Sequence, residues 1–599
     1  MRVADWIGKR LKREADVIFG VTGGCIVNCV DGFHKQGLRV IPMHHEQAAA
    51  MAADGYARMT GRLGLCFATS GPGGQNLLTG IASAYYDGIP VLAIIGQVPY
   101  AQVKKSIETD DLRQFGFQET LNHLLIDGVA KVSIMPFDEQ QVQDCIEKAI
   151  WVAFHRRMGP SVVEICDNFQ RADFNPTIFD DDKECVVSSL PSTYHFLTKL
   201  SAEFGAAKHP VLILGAGVTR AGVREKVEAF LEGFKLPILL SWGAKDLLDE
   251  QHPCYCGGFG VTAERAGNYA LKHADLIVSI GCRLDTHSFG NDYSWLTGKT
   301  VMVADIDQAE LDKLPDCCSK FNFDIKDLFS QCLHFGSDFS GWAEAIKKVR
   351  RAFPIVSAER IFADGWGPYG SIRSLSNAAP SNAIVIGDAG QSLCWLFQAW
   401  ETKKGQTLFS DFNNSCMGWS LPASIGAAFA CPDRPVYCVI GDGSLMMNLQ
   451  ELQTIKNFGL NIRIIVMDNA GYGMIMQTQR DWPDALAFGV GCNQENGLTL
   501  PDFGKIANAF GIDYLECESI HDIGRIVGGS YVDDSLFLNP TEAQNFHRRS
   551  NRRPILIRIP IHEGSRLEPK TKFGNDLWNQ HPYLTDAQVK WIDDTLGAA

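Results

Sequence analysis

Eighteen cysteines are spread over 599 residues without a paired CxxC framework, and Cys254-x-Cys256 and the adjacent Cys317 and Cys318 are poor zinc spacings. That excludes a zinc-stapled or disulfide-stapled scaffold. Most thiols, Cys25, Cys66 and Cys438 among them, sit in apolar stretches where cysteine behaves as a small hydrophobe, so reduced thiols and a cytoplasmic location are expected. No apolar run approaches the length of a membrane span, which argues against a membrane protein. Positive charge is also short. Against 69 Asp and Glu there are 55 Lys and Arg, a net charge of −14, and they form no concentrated patch. A nucleic-acid surface needs such a patch, so no nucleic-acid partner is expected and any anionic cofactor must be held locally. The first 19 residues mix charge with Trp6, Ile7 and Leu11 at helical spacing, which reads as an amphipathic helix rather than a leader. With 46% hydrophobic and 21% charged residues the composition is that of a globular protein, long enough for about three or four domains.

What is present centres on residues 436–474. Two apolar runs, 436–440 and 462–467, flank a helical pattern in which Leu449, Leu452 and Ile455 share a face, a βαβ unit. Each strand ends in a polar tip, Gly441-Asp442-Gly443-Ser444 and Asp468-Asn469-Ala470-Gly471-Tyr472-Gly473, and in a parallel sheet both tips lie on the carboxyl edge where ligands bind. A carboxylate and a carboxamide beside a glycine-loosened backbone suit Mg²⁺ completed by phosphate and water, with a helix start favouring the phosphate. GDG alone is equally what a tight turn requires.

Along the rest of the chain, strand, glycine turn and helix patterns alternate. The expected fold class is α/β, three doubly wound parallel-sheet domains at 1–185, 190–345 and 360–560, followed by a polar tail at 561–599 with a final helix. A polar stretch at 528–553 reads as a surface insertion. In the first domain an alanine-packed helix opens with Glu46, a position the helix dipole favours for any acid. In the second, Gly215-x-Gly217 does not complete G-x-G-x-x-G. Residues 53–71 and 425–443 echo one another, suggesting related first and third domains.

GDGS followed one βα step later by DN, together with HHEQAAAMAADGYAR (44–58) and SGPGGQN (70–76), resembles the thiamine diphosphate enzyme superfamily, nearest to acetohydroxyacid synthase. The resemblance implies that Asp442, Asn469 and the Gly471 carbonyl hold Mg²⁺ against the diphosphate. Gly390, Gln391, Ser392, Gly441, Gly443, Ser444, Gly473 and Met474 would line the same end. Glu46 would contact N1′ of the aminopyrimidine, Met417 would wedge between the two rings, and Gly24 and Asn76 would complete the pyrimidine side. Gln118 is implied as a second catalytic contact, and Phe117, Gln118, His287, Ile475 and Thr478 as the substrate pocket. Thr478 stands where synthases of branched-chain precursors carry tryptophan, and His287 where they carry arginine, so the acceptor side looks remodelled. In these relatives the central domain holds FAD, with loops matching 281–285 and 305–307, so the resemblance admits FAD here.

The activity implied is decarboxylation of pyruvate or a similar 2-keto acid and transfer of the two-carbon unit to a carbonyl acceptor. Decarboxylation to an aldehyde and flavin-linked oxidation are the alternatives. An obligate homodimer or tetramer is expected, its interface supplied by the alanine-rich helices after Glu46 and Pro422. A regulatory subunit is left open.

Overall fold

The structure is a computed structural model that describes residues 1–177, 190–232, 235–290, 292–331, 337–357, 367–482, 488–492, 497–517, 522–523, 553–572 and 574–598. The expected insertion, apart from its last residue Arg553, lies outside the described residues.

Runs of β-branched and apolar residues form three six-stranded parallel sheets among the described residues. The first contains β1 (Val17–Gly20), β2 (Arg39–Pro42), β3 (Gly64–Ala68), β4 (Val91–Gln97), β5 (Val132–Ile134) and β6 (Ser161–Cys166), in spatial order 2-1-3-4-6-5. The second contains β7 (Pro210–Leu214), β8 (Ile238–Leu240), β9 (Tyr255–Gly258), β10 (Leu276–Ile280), β11 (Thr300–Asp305) and β12 (Cys318–Asn322), ordered 12-11-10-7-8-9. The third contains β13 (Ile384–Gly387), β14 (Thr407–Phe409), β15 (Val436–Gly441), β16 (Ile462–Asp468), β17 (Asp513–Glu516) and β18 (Ile555–Pro560), ordered 14-13-15-16-18-17. Renumbered from its own first strand, the third order is that of the first, so the sequence echo reflects a shared topology. The second has the dinucleotide-binding order, with its reversal between β7 and β10.

Each reversal point is where a parallel sheet opens a crevice at its carboxyl edge. In the first sheet that edge carries 21–25 and 69–76, in the third 388–392 and 441–444. The candidate residues from both ends of the chain therefore fall at topologically equivalent places.

One continuous core joins the first and third sheets. At its centre the helix Glu46–Thr60 packs against the helix Ser420–Ala430. Two glycines permit the approach: a Cβ on Gly55 would come within 2.2 Å of the Ala423 carbonyl oxygen, and one on Gly426 within 1.9 Å of Ala52 O. This corrects the expected use of the alanine-rich faces. Ala48 to Ala53 and Ala423 to Ala427 are buried within a single chain, so any subunit interface must use other surface.

The tail is more than a polar extension. It contains the antiparallel pair β19 (Lys570–Thr571) and β20 (Gln580–His581) and the helix Asp586–Gly597, which rests on the second unit. Asn268 Nδ2 donates to Leu577 O at 3.0 Å, and Lys272 Nζ pairs with Asp593 at 2.8 Å.

Candidate active site

The carboxyl edge of the third sheet gathers most of the expected cofactor residues. Asp442 starts a one-turn helix, Asp442–Leu445, and the longer helix begins only at Glu451, so Leu449 lies ahead of that helix instead of on its apolar face. The Asp442 carboxylate is buried and accepts from Gly443 N at 2.6 Å and Gly471 N at 2.9 Å. Burial, together with neighbouring Asp468, still pushes its carboxyl up to about 7. A buried carboxylate held in this way would suit a cation as its partner.

Beside it, Asn469 turns its amide nitrogen to Gln391 Oε1 (3.3 Å), which leaves the amide oxygen as the ligand end. Gln391 donates in turn to Gln477 Oε1 at 2.9 Å and to Ser565 O at 3.4 Å. The loop is glycine-dependent: a Cβ on Gly473 would come within 2.1 Å of both Asn469 Nδ2 and Gln391 Oε1. Gly471 has φ +145° and Gly390 φ +72°. Gly390 opens the helix Gly390–Ala399 and Gly473 opens Gly473–Asp481, so two helix N-termini converge where a diphosphate would need positive potential. One carboxylate, one carboxamide oxygen and a backbone carbonyl form a hard oxygen set of the kind Mg²⁺ takes alongside phosphate. The residues present fit that group.

Met417 is half-buried beside Gly418, which has φ +77°. Sequence reading missed what holds this turn. Asp388, at the end of β13, accepts from Gly418 N and Ser420 N, each at 2.8 Å, and Asn448 Nδ2 donates to Gly418 O at 3.0 Å. The signal available was an acid directly following a fully buried strand.

The first sheet gathers the other group. Glu46, 8% exposed at the first position of its helix, accepts from Asn76 Nδ2 at 2.9 Å. Gln118 is exposed with φ +58°, and its carbonyl oxygen lies 2.7 Å from where a Cβ on Gly71 would stand, placing its loop beside the Pro72–Asn76 turn. Phe117 next to it is 84% exposed. Gly24 is exposed on a loop tied to β3 through Cys25 N donating to Thr69 Oγ1 at 3.3 Å. Among the described residues no hydrogen bond or ion pair joins Glu46, Asn76 or Gln118 to Asp442, Asn469 or Gln391. The chain presents two half-sites.

A cavity of about 580 Å³ occupies the reversal point of the second sheet and extends to Gly390 and Met474. Arg220, Arg283 and Asp305 line one end of it. Burial pushes the Asp305 carboxyl up to about 6, and the Arg220 Nε is buried without a hydrogen-bond partner among the described residues. A free guanidinium nitrogen, a carboxylate able to meet a hydroxyl and a dinucleotide strand order fit a dinucleotide. Arg283 and Asp305 lie in the loops 281–285 and 305–307 on which the resemblance admitted FAD, whereas Arg220, distant from them in sequence, carried no motif signal. His287 lines the same cavity, its Nε2 3.2 Å from Thr262 Oγ1 and its ring 4.8 Å from that of Trp242. Protein packed around the imidazole pulls its pKa down, favouring the neutral ring. Thr478 and Ile475 are exposed on the Gly473–Asp481 helix, and the Thr478 hydroxyl donates to Met474 O at 3.0 Å.

Comparison with known proteins agrees with this layout. Residues 1–125 match the thiamine pyrophosphate enzyme N-terminal TPP binding domain, 197–329 the central domain and 388–529 the C-terminal TPP binding domain. The acetolactate synthase isozyme 1 large subunit of Escherichia coli (strain K12) is 31% identical over 516 residues, covering 84% of this chain and 87% of the relative. The isozyme 2 large subunit of the same organism is 31% identical over 521 residues, 86% and 90% of the two chains. A probable acetolactate synthase large subunit of Methanococcus aeolicus is 29% identical over 568 residues, covering 90% and 91%.

Proposed function

The chain belongs to the thiamine pyrophosphate enzyme family and is an acetolactate synthase-like carboligase, and from that premise we propose how its residues divide the work. The observation that carries the reading is the pair of half-sites at equivalent sheet edges, one built on Glu46 and Asn76, the other on Asp442, Asn469 and Gln391. When bound, thiamine diphosphate supplies the electron sink for the pair of electrons left as a 2-keto acid loses CO₂. Asp442, Asn469 and the Gly471 carbonyl would hold Mg²⁺. Gly390, Gln391, Ser392, Gly441, Gly443, Ser444, Gly473 and Met474 would face the diphosphate, and Met417 would wedge between the two rings. Glu46 would share a proton with N1′ of the bound aminopyrimidine, Asn76 would orient the Glu46 carboxylate, and Gly24 would leave room beside them. Gln118 offers an amide to the reacting carbonyl.

Phe117, His287, Ile475 and Thr478 would form the acceptor wall, although within one chain the cavity that His287 lines does not reach the other three. A small hydroxyl residue at 478 and a neutral imidazole at 287 make this wall open and uncharged, which suits a carbonyl acceptor bulkier than pyruvate. FAD fits the second-sheet cavity through Arg220, Arg283 and Asp305.

Both half-sites border exposed apolar side chains: Leu78, Leu124 and Leu125 near the first, Met446, Met447 and Ile475 near the second. We infer that a second copy of the chain covers them, bringing the Glu46 group of one copy to the Asp442 group of the other. The catalytic reading is tested by product analysis with pyruvate alone and with added keto acids or sugar-derived carbonyls, with a flavin absorbance spectrum of the purified protein. Products carrying a new carbon–carbon bond are expected, and acetaldehyde as the sole product under every condition would overturn ligation.

A further inference from the structure

The helix that carries Glu46 is held at its start from the opposite end of the chain. Glu451, the first residue of Glu451–Phe458, is fully buried, and its Oε1 accepts from His44 N at 3.0 Å and His45 N at 3.1 Å. Its other oxygen accepts from Thr454 Oγ1 at 2.7 Å. His44 and His45 are the two residues immediately before Glu46.

Where another helix start among the described residues carries a side-chain cap, the cap comes from a neighbour in sequence. Asp307 accepts from Ala309 N, Asp324 from Lys326 N, Asp502 from Lys505 N and Thr585 from Gln588 N. The Glu46 helix has such a cap too, because His45 Nδ1 accepts from Gln47 N at 3.0 Å. Glu451 is additional, and it reaches across more than 400 residues of sequence to bind groups that local chemistry already brings to the helix end. A buried carboxylate is costly to keep, and burial pushes this one above the ordinary carboxyl range, yet its hydrogen-bond partners among the described residues are all donors and the helix dipole favours its charge. The consequence falls on Glu46. A first-turn residue sits where a helix frays, its carboxylate has one side-chain partner among the described residues, Asn76, and a displacement of about 1 Å at a reacting group can cost roughly 100-fold in rate.

We propose that Glu451 is a positioning residue for Glu46, fixing the backbone at His44 and His45 so that the Glu46 carboxylate keeps its place. The inference rests on Glu46 acting at the aminopyrimidine as set out above. It also places the aim of the Glu46 helix under the control of the helix that follows the Asp442 turn.

The test compares Glu451→Ala, Glu451→Asp and Glu451→Gln with Glu46→Gln in the full chain. Aspartate keeps the charge but draws the carboxylate back by about one C–C bond, 1.5 Å, and so serves where alanine fails to fold. Glutamine keeps the acceptor oxygen at full reach. Three quantities are read: amide hydrogen exchange at His44 and His45 in the cofactor-free protein, the Kd for thiamine diphosphate with Mg²⁺, and exchange of the cofactor C2 hydrogen by quenched-flow NMR. In the alanine and aspartate variants, amide exchange at 44 and 45 should rise at least about 10-fold, and C2 hydrogen exchange should fall toward the Glu46→Gln value, roughly 100-fold. Cofactor Kd should stay within about 3-fold, and glutamine should restore C2 exchange to within about 5-fold of the parent. Native C2 exchange in the aspartate variant, or a loss of cofactor binding in parallel with exchange, would overturn the proposal and leave Glu451 a packing residue. Native exchange in Glu46→Gln itself would instead overturn the reading of Glu46.

Discussion

Glu46 Oε2 and Asn76 Nδ2 stand 2.9 Å apart, bringing together two residues that lie on different helices after different strands of the first sheet. A hydrogen bond to a charged group contributes about 1.5–3 kcal/mol. Asn76→Ala removes the donor without touching the fold's core, so kcat/KM should fall roughly 10- to 100-fold while the melting temperature changes little. Steady-state kinetics beside a thermal melt checks this. Unchanged kinetics would mean that Asn76 does not orient Glu46.

Gly473→Ala probes the other half-site. The new methyl would meet Asn469 Nδ2 and Gln391 Oε1 at 2.1 Å, and both side chains are buried, so one of them must leave its place. Retention of Mg²⁺ and thiamine diphosphate through gel filtration should be lost. Gly24→Ala is the contrast, because a Cβ there meets nothing within 4 Å in the chain itself, and the variant should fold as the parent does. A Gly473→Ala protein that keeps its cofactor would show that the 469–474 loop has slack.

The three-sheet architecture was legible because each strand is a short apolar run followed by glycine, and the helices between carry period-3.6 patterns. The half-sites were legible because their residues cluster within motifs. What stayed hidden lies between segments distant in sequence. The cavity arginine Arg220 and the carboxylates Asp388 and Glu451 each look like an ordinary acid or base beside an apolar run until the fold brings their partners near. The alanine-rich helices misled for a related reason. Small apolar faces announce close packing but do not name the partner, and here Gly55 and Gly426 mark an intrachain contact.

Asp411 predicts a pH dependence. Its buried carboxylate accepts from Ser83 Oγ at 2.9 Å and Cys416 N at 3.0 Å, and burial with nearby Asp87 pushes its carboxyl up to about 6. The folded chain therefore binds this proton more tightly than the unfolded chain does. The associated stability is present below the unfolded value near 4 and is lost as pH rises through about 6. Asp411→Asn, which mimics the protonated form, should gain on the parent by roughly 3 kcal/mol between pH 4 and pH 7. Denaturant melts of both proteins across that range measure it, and parallel curves would refute it.

The assembly makes the last prediction. Phe117, Leu78, Met446, Met447 and Ile475 around the half-sites are exposed in the single chain. The alanine-rich faces that might have closed the two halves onto each other are already buried in the core. On the proposed assembly, a cofactor gripped at its diphosphate by one half-site and at its pyrimidine by the other would lie between two copies, with the exposed apolar side chains forming the contact. If so, Glu46→Gln and Asp442→Ala chains, each inactive alone, should regain activity when mixed under conditions of subunit exchange. In a mixed dimer one site pairs the intact Glu46 of the second chain with the intact Asp442 of the first, while the other site carries both lesions. A random mixture is half mixed dimers, so activity should approach about one quarter of the parent's. Light scattering establishes the oligomer, and a tagged copy establishes exchange. Proven exchange without recovery would show that the site forms within one chain, and the apolar surface around the half-sites would then need another occupant.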